Sequence, residues 1–159
     1  MIMIDPTDII YEMQVLPSID SQYEINRRRN FIANFLRQSP CKTLVLGISG
    51  GVDSSVCGRL AQLAIEQLQQ ETNDNDYQFI AMRLPFDSQA DEADAQLALQ
   101  FIKPSHSVSC NVAPGANGIH QETLQAAKEI GLNTTEAQED FAKGNVKART
   151  RMVLQYEMA

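Results

Sequence analysis

No apolar run in this sequence approaches the roughly 20 residues that a membrane-spanning helix requires, so no membrane association is expected. The stretch Met1-Ile2-Met3-Ile4-Asp5-Pro6 lacks the basic region and long apolar segment of a signal peptide, and a cytoplasmic location is expected. Cysteine is scarce: Cys41, Cys57 and Cys110 are odd in number, far apart and in no paired spacing. That argues against a disulfide framework or a zinc site and predicts reduced, mostly buried thiols. Positive charge is also short. Thirteen Lys and Arg stand against 20 Asp and Glu, and a net charge of −7 speaks against bulk nucleic-acid binding. A small anionic ligand would need a local basic patch, and one occurs at Lys143–Arg151. Internal repeats and low-complexity tracts are missing, as is a catalytic Cys–His pair; His106 and His120 fall in expected loops and read as surface residues.

What remains is a chain of 159 residues, 43% hydrophobic, enough for one domain with a core. Its most specific feature is the run Gly47-Ile48-Ser49-Gly50-Gly51-Val52-Asp53-Ser54-Ser55. The run follows the apolar Thr43-Leu44-Val45-Leu46 and precedes a long amphipathic stretch. A strand that ends in Ser-Gly-Gly and opens a helix at Asp-Ser-Ser is an anion cradle. Glycine lets the backbone approach an anion closely, and the free N–H groups and dipole of the first helical turn attract phosphate.

The flanking pattern predicts an α/β fold, a parallel sheet with helices on both faces. Asp8 to Val15 reads as a short helix ended by Pro17. Asp20 is the N-cap of a second helix from Ser21 to Leu36, with Ile25, Ile32, Phe35 and Leu36 on one face and Arg27–Arg29 on a solvated one. Lys42 to Ile48 is a strand, and Asp53 to Glu71 a helix that buries Val56, Leu60 and Leu63 with Cys57, Ala61, Ala64 and Leu68. Gln78 to Leu84 is a second strand with a continuous apolar centre, stopped by Pro85. Ala90 to Ile102 is a helix with Ala93, Leu97 and Phe101 at four-residue spacing, and Ser107 to Val112 a third, alternating strand. Strand and helix alternating in this way imply right-handed crossovers. The ligand is then expected at the carboxyl ends of the strands, where residues 47–54 and 83–89 fall. Pro114-Gly115-Ala116-Asn117-Gly118 reads as a loop, His120 to Ile130 as a helix, and Thr135 to Met158 as a last helix with a candidate break at Gly144.

The loop is neither a Walker A loop, whose spacing and lysine it lacks, nor the Gly-x-Gly-x-x-Gly dinucleotide fingerprint. Ser-Gly-Gly-x-Asp-Ser resembles the pyrophosphate loop of the ATP pyrophosphatases, which cleave ATP between its α and β phosphates. Ser49, Gly50, Gly51, Ser54 and Ser55 can donate to a pyrophosphate. Asp53 would repel it unless a cation intervened, and Mg²⁺ favours a carboxylate together with phosphate oxygens. Two further segments narrow the likeness. Ile80-Ala81-Met82-Arg83-Leu84-Pro85-Phe86 with Gln89-Ala90-Asp91-Glu92, and the cationic run from Lys143-Gly144-Asn145 through Arg149 to Met152, resemble segments of the bacterial NAD synthetases. The resemblance runs from about Ile19 to Met158 and covers nearly the whole chain.

It implies an adenine nucleotide alpha hydrolase-like, Rossmann-like domain in which Gly47, Ile48, Ser49, Gly50, Gly51, Val52, Asp53 and Ser54 bind ATP phosphates. Asp53 would hold Mg²⁺, Arg83 and Gln89 would flank the adenosine, and Arg149 would contact deamido-NAD. It also implies a homodimer built on the carboxy-terminal helices, through residues such as Val146, Val153 and Tyr156. The implied reaction is ATP-dependent amidation of deamido-NAD by ammonia, through an adenylated intermediate, with release of AMP and pyrophosphate. Three departures stand out. Phe86-Asp87-Ser88 replaces a Tyr-Gly-Val-like run, and Pro114–His120 matches nothing in the family. Family members also continue with a Gly-Thr-Asp-His-Ala-Ala-Glu-like segment, carrying a second metal carboxylate, that is not among these 159 residues. The expectation is therefore the first half of such an enzyme. A truncated chain that binds ATP or dimerises without turnover is the alternative, and a GMP synthetase-like or tRNA-thiolating enzyme is a third.

Overall fold

The computed structural model describes residues 5–87 and 92–159. Its elements are α1 (Pro6–Glu12), α2 (Ser21–Gln38), β1 (Thr43–Gly47), α3 (Val52–Thr72), β2 (Gln78–Arg83), α4 (Glu92–Ile102), β3 (His106–Ser109), α5 (Ala113–Glu129) and α6 (Glu136–Met158). The strands form one parallel sheet in the order β1-β2-β3, with Leu44 opposite Phe79 and Met82 opposite Val108. Alternation along the strands divides the interior in two. Leu44, Leu46, Ile48, Phe79 and Ala81 pack with Ala33, Leu36, Ala64, Ile65, Leu68 and Ile102 of α2, α3 and α4. Val45, Ile80, Met82 and Leu84 pack with Ala116, Val146 and Leu154 of α5 and α6. Helices thus cover both faces, as the alternating pattern predicts. Side chains as large as Phe79 and Ile65 are fully buried, and each such burial stabilises by about 1.5–3 kcal/mol.

Local chemistry sets the helix boundaries. The Asp20 carboxylate accepts from the Tyr23 amide at 3.0 Å and starts α2, where the sequence places its N-cap. Thr135 and Gln138 form a reciprocal capping box at the start of α6. Asn73, in the left-handed region at φ 53°, ends α3.

Several expectations need correction. The helix α1 begins at Pro6 and ends at Glu12, earlier than Asp8 to Val15. In α2, Ala33 and Leu36 are buried, while Phe35 is 70% exposed and Ile25 also faces outward. In α3 the Val56–Cys57 stripe is exposed, and Gly58, Ala61, Gln62, Ala64, Ile65 and Leu68 make the contact. In α4, Ala95, Ala98 and Ile102 face inward, and Leu97 and Phe101 face out. Close packing through small residues goes with this: a Cβ on Gly58 would lie 2.8 Å from Ile102 Cδ1, so a larger side chain where α3 meets α4 would displace Ile102. The thiols are not mostly buried, since Cys41 and Cys57 are exposed and Cys110 is half-buried.

The Pro114–Gly118 segment is helical and belongs to α5. Proline is tolerated in a first turn, and the Asn111 side chain accepts from the Ala113 amide at 2.9 Å to support that turn. A Cβ on Gly115 would lie 3.1 Å from Thr150 Cγ2, so this glycine serves helix contact, not a turn. The strand β3 is shorter than Ser107 to Val112, although Cys110 and Val112 still donate to the carbonyls of Arg83 and Pro85. The helix α6 continues through Gly144 without a break. His106 begins β3 and His120 lies within α5, so neither is in a loop. Among the described residues, no helix is long and apolar enough to cross a membrane.

Candidate functional site

The Ser-Gly-Gly run leaves the carboxyl end of β1 and turns directly into α3. Gly50 makes the turn at φ 90°, in the left-handed region, and its α-carbon faces the first turns of α4: a Cβ would stand 2.9 Å from the Ala95 amide nitrogen. Gly51 is the N-cap of α3 and offers no side-chain acceptor, so the first-turn amides of α3 are not capped by it. Around this opening the hydroxyls are organised among themselves. Ser49 Oγ and Ser54 Oγ are 3.1 Å apart, Gly51 N–H donates to Ser49 Oγ, and Ser54 and Ser55 both donate to the Gly51 carbonyl. Uncapped amides, hydroxyls and the positive end of a 21-residue helix converge on one place. That arrangement suits a multiply charged anion.

Val52 and Asp53 stand in the exposed first turn of α3, and the Asp53 carboxylate has no hydrogen bond or ion pair to the other described residues. A single free carboxylate beside an anion cradle fits Mg²⁺, which takes its other oxygens from phosphate and water. Among the described residues, no group of three or more His, Cys, Asp or Glu could hold a metal ion by protein ligands alone.

A cavity of about 340 Å³ adjoins the loop, lined by Gly47, Ile48, Ser49, Arg83, Leu84, Arg151 and Gln155. Arg83 is almost wholly buried. Its Nη1 donates to the Ile48 carbonyl at 2.7 Å and its Nη2 to Glu92 at 2.9 Å. Hydrogen bonds from Gln96 and from Arg83 hold the Glu92 carboxyl below the usual carboxylate range. Two side chains of α6 close the cavity. Gln155 Oε1 accepts from the Gly47 amide at 2.7 Å, and Arg151 Nε donates to the Leu84 carbonyl at 3.0 Å. The Gly47 amide points to the side of β1 away from β2, where Gln155 satisfies it.

The structure therefore brings together Gly47, Ile48, Ser49, Gly50, Gly51, Val52, Asp53, Ser54 and Arg83. Gln89 lies outside the described residues. Arg149 is not in the cavity: it is exposed and donates to the carbonyl and side chain of Asn145, with which it shares a helix face. Arg149 and Arg151 are two residues, about 200°, apart around the helix, so one basic run serves two directions. Lys143 and Lys147 lie on the Arg151 side at four-residue spacing, their ammonium groups 5.6 and 4.3 Å from the centre of the Phe86 ring. Of the three interface candidates on α6, Val153 and Tyr156 are exposed, whereas Val146 packs into the core. Sequence reasoning missed Gln155, the inward turn of Arg151 and the tie from Glu92 to Arg83. The four-residue spacing of Arg151 and Gln155 was the available signal for the first two.

Residues 24–159 match the model of the NAD synthase family. The chain is 59% identical over 149 residues to an NH(3)-dependent NAD(+) synthetase of Vibrio vulnificus, covering 93% of this chain and 54% of that protein. It is 57% identical over 152 residues to the NH(3)-dependent NAD(+) synthetase of Psychromonas ingrahamii, covering 95% and 55%. A crystal structure of NAD+ synthetase from Burkholderia pseudomallei superposes with a TM-score of 0.82 at 43% identity, covering 96% of this chain and 63% of that one. The chain spans about half the length of the curated relatives it matches.

Proposed function

The chain belongs to the NAD synthase family, and from that premise we propose that it carries the ATP-handling part of an ammonia-dependent NAD synthetase. One observation bears most of this reading: the uncapped start of α3 behind Gly50 opens beside a cavity walled by Arg83, Arg151 and Gln155. The phosphates of ATP lie in the loop from Gly47 to Ser54, and the adenosine lies against Arg83. Asp53 holds Mg²⁺, which supplies neutralisation of the phosphate charge when bound.

In the proposed reaction the nicotinate carboxylate of deamido-NAD attacks the α phosphate of ATP. The bond to the β phosphate breaks and pyrophosphate leaves. Ammonia then attacks the activated acyl carbon and expels AMP, giving NAD. No side-chain nucleophile is required; catalysis is positioning and charge neutralisation, for which glycine amides, hydroxyls and cations suffice. Arg149 contacts deamido-NAD. Its exposure on the side of α6 away from the cavity supports a dinucleotide site completed between two copies of the chain, with Val153 and Tyr156 in the interface.

The decisive experiment follows AMP and pyrophosphate. Their ATP-dependent release only when deamido-NAD and ammonia are both present establishes the reading. Release with xanthosine monophosphate in place of deamido-NAD overturns it. A second reading, nucleotide binding and dimerisation without turnover by this chain alone, rests on its spanning about half the length of its relatives. ATP binding with no AMP release under the same conditions selects it.

A further inference from the structure

The geometry points to Glu92 as a positioning residue for the nucleoside end of the bound nucleotide, acting through Arg83. The inference rests on the ATP reading above and adds to it the group that aims the arginine. Arg83 is 4% exposed and carries a permanent charge, so its guanidinium needs both a counter-charge and fixed acceptors. Among the described residues, Glu92 is the carboxylate within ion-pair distance, at 2.9 Å. The remaining tie is from Nη1 to the Ile48 carbonyl, and the buried Nε has no partner among the described residues. Two contacts thus fix the plane of the guanidinium, and one of them is Glu92.

The place of Glu92 matters as much as the distance. It opens α4, three residues before Ala95, against whose amide Gly50 of the phosphate loop packs too closely to admit a Cβ. The start of α4 therefore touches the phosphate loop directly at Ala95 and through Arg83 at Glu92. Gln96 donates to the other Glu92 oxygen at 2.7 Å, which holds the carboxylate toward the arginine. One N–H of each Nη is taken up and the charge is met by Glu92, so Arg83 keeps N–H donors but no uncompensated charge for a phosphate. It presents a buried, oriented surface to the uncharged part of a nucleotide.

Simple electrostatics and positioning predict opposite outcomes. Removing a carboxylate beside an anion site raises the local positive potential and should tighten every polyphosphate. Removing a positioning group should weaken the ligand that carries a nucleoside and spare the one that does not. The test titrates the full chain, wild type and Glu92→Gln, with Mg-ATP and with Mg-tripolyphosphate by calorimetry. We expect Glu92→Gln to weaken ATP about tenfold and to leave tripolyphosphate within about twofold, and Glu92→Asp to recover part of the loss. The Arg83 Nε–H resonance, followed by nitrogen-15 NMR, should exchange with water faster in Glu92→Gln, with or without nucleotide. Equal changes for both ligands, of either sign, overturn the inference, as does an unchanged ATP affinity. Wild-type binding of tripolyphosphate without ATP, or of neither, overturns the nucleotide reading itself.

Discussion

Gly50 shows how little freedom the phosphate loop has. It adopts φ 90°, and the space beyond its α-carbon is filled by backbone of α4, not by a side chain that could move. Gly50→Ala combines backbone strain with a steric conflict, and we expect a loss of about 1–3 kcal/mol in urea denaturation together with loss of ATP binding. Asp53 is the opposite case, an exposed carboxylate without a structural partner among the described residues. Asp53→Asn should leave the melting temperature within about a degree or two of wild type, because it breaks no contact. It should weaken Mg-ATP while leaving Mg-free ATP unchanged or tighter, as a calorimetric titration with and without EDTA would show. The strained glycine turn and the exposed acid were both legible at the level of residues. A glycine pair after a strand and a lone acid among phosphate donors have few other physical uses. Glu92 was not, because its importance depends on where Arg83 points.

Elements were legible in their order and less so in their faces. The strand, loop and helix from Thr43 to Thr72 emerge from an apolar run, a glycine-serine turn and a helical periodicity. The face that α3 or α4 buries is chosen by how closely its neighbours approach. Close approach selected Gly58, Ala95 and Ala98 over the larger Val56, Leu97 and Phe101. The same reason hid the start of α5, whose proline and glycines have the composition of a turn while Gly115 makes a tight contact with α6. Gly115→Val should therefore overpack that contact at Thr150 and cost about 1–3 kcal/mol in chemical denaturation.

Element junctions also carry a pH dependence. Lys42, just before β1, bonds Asp74 at 2.7 Å and Asp76 at 3.2 Å in the α3–β2 turn. The Lys42 ammonium, followed by the Asp76 amide, holds the Asp74 carboxyl below its ordinary range. The unfolded chain then binds that proton more readily than the folded one. The contribution is therefore present above the ordinary carboxylate value and is lost as pH falls through the lower, folded value. Urea midpoints measured downward from about pH 6 should fall below about pH 4, and the fall should be shallower in Asp74→Asn.

At the scale of the molecule, α6 presents several distinct faces. One face closes the cavity beside the glycine loop through Arg151 and Gln155, another carries Asn145 and Arg149 outward, and Val153 and Tyr156 are exposed. If two copies meet through α6, Tyr156→Glu should shift the sedimentation coefficient from dimer to monomer. It should leave ATP affinity unchanged and lower any dinucleotide-dependent turnover. A wild-type chain that sediments as a monomer at micromolar concentration removes the shared-site reading. The sequence by itself determined the parallel α/β order, the anion cradle and the family, because these rest on local periodicity and on residue types with narrow chemical uses. Only the tertiary structure decided which small residues form the helix contacts, which face of α6 turns inward, that Gln155 lines the cavity beside the glycine loop, and that Glu92 ties to Arg83. Those depend on distances between segments far apart in the chain, and spacing along the chain does not encode them.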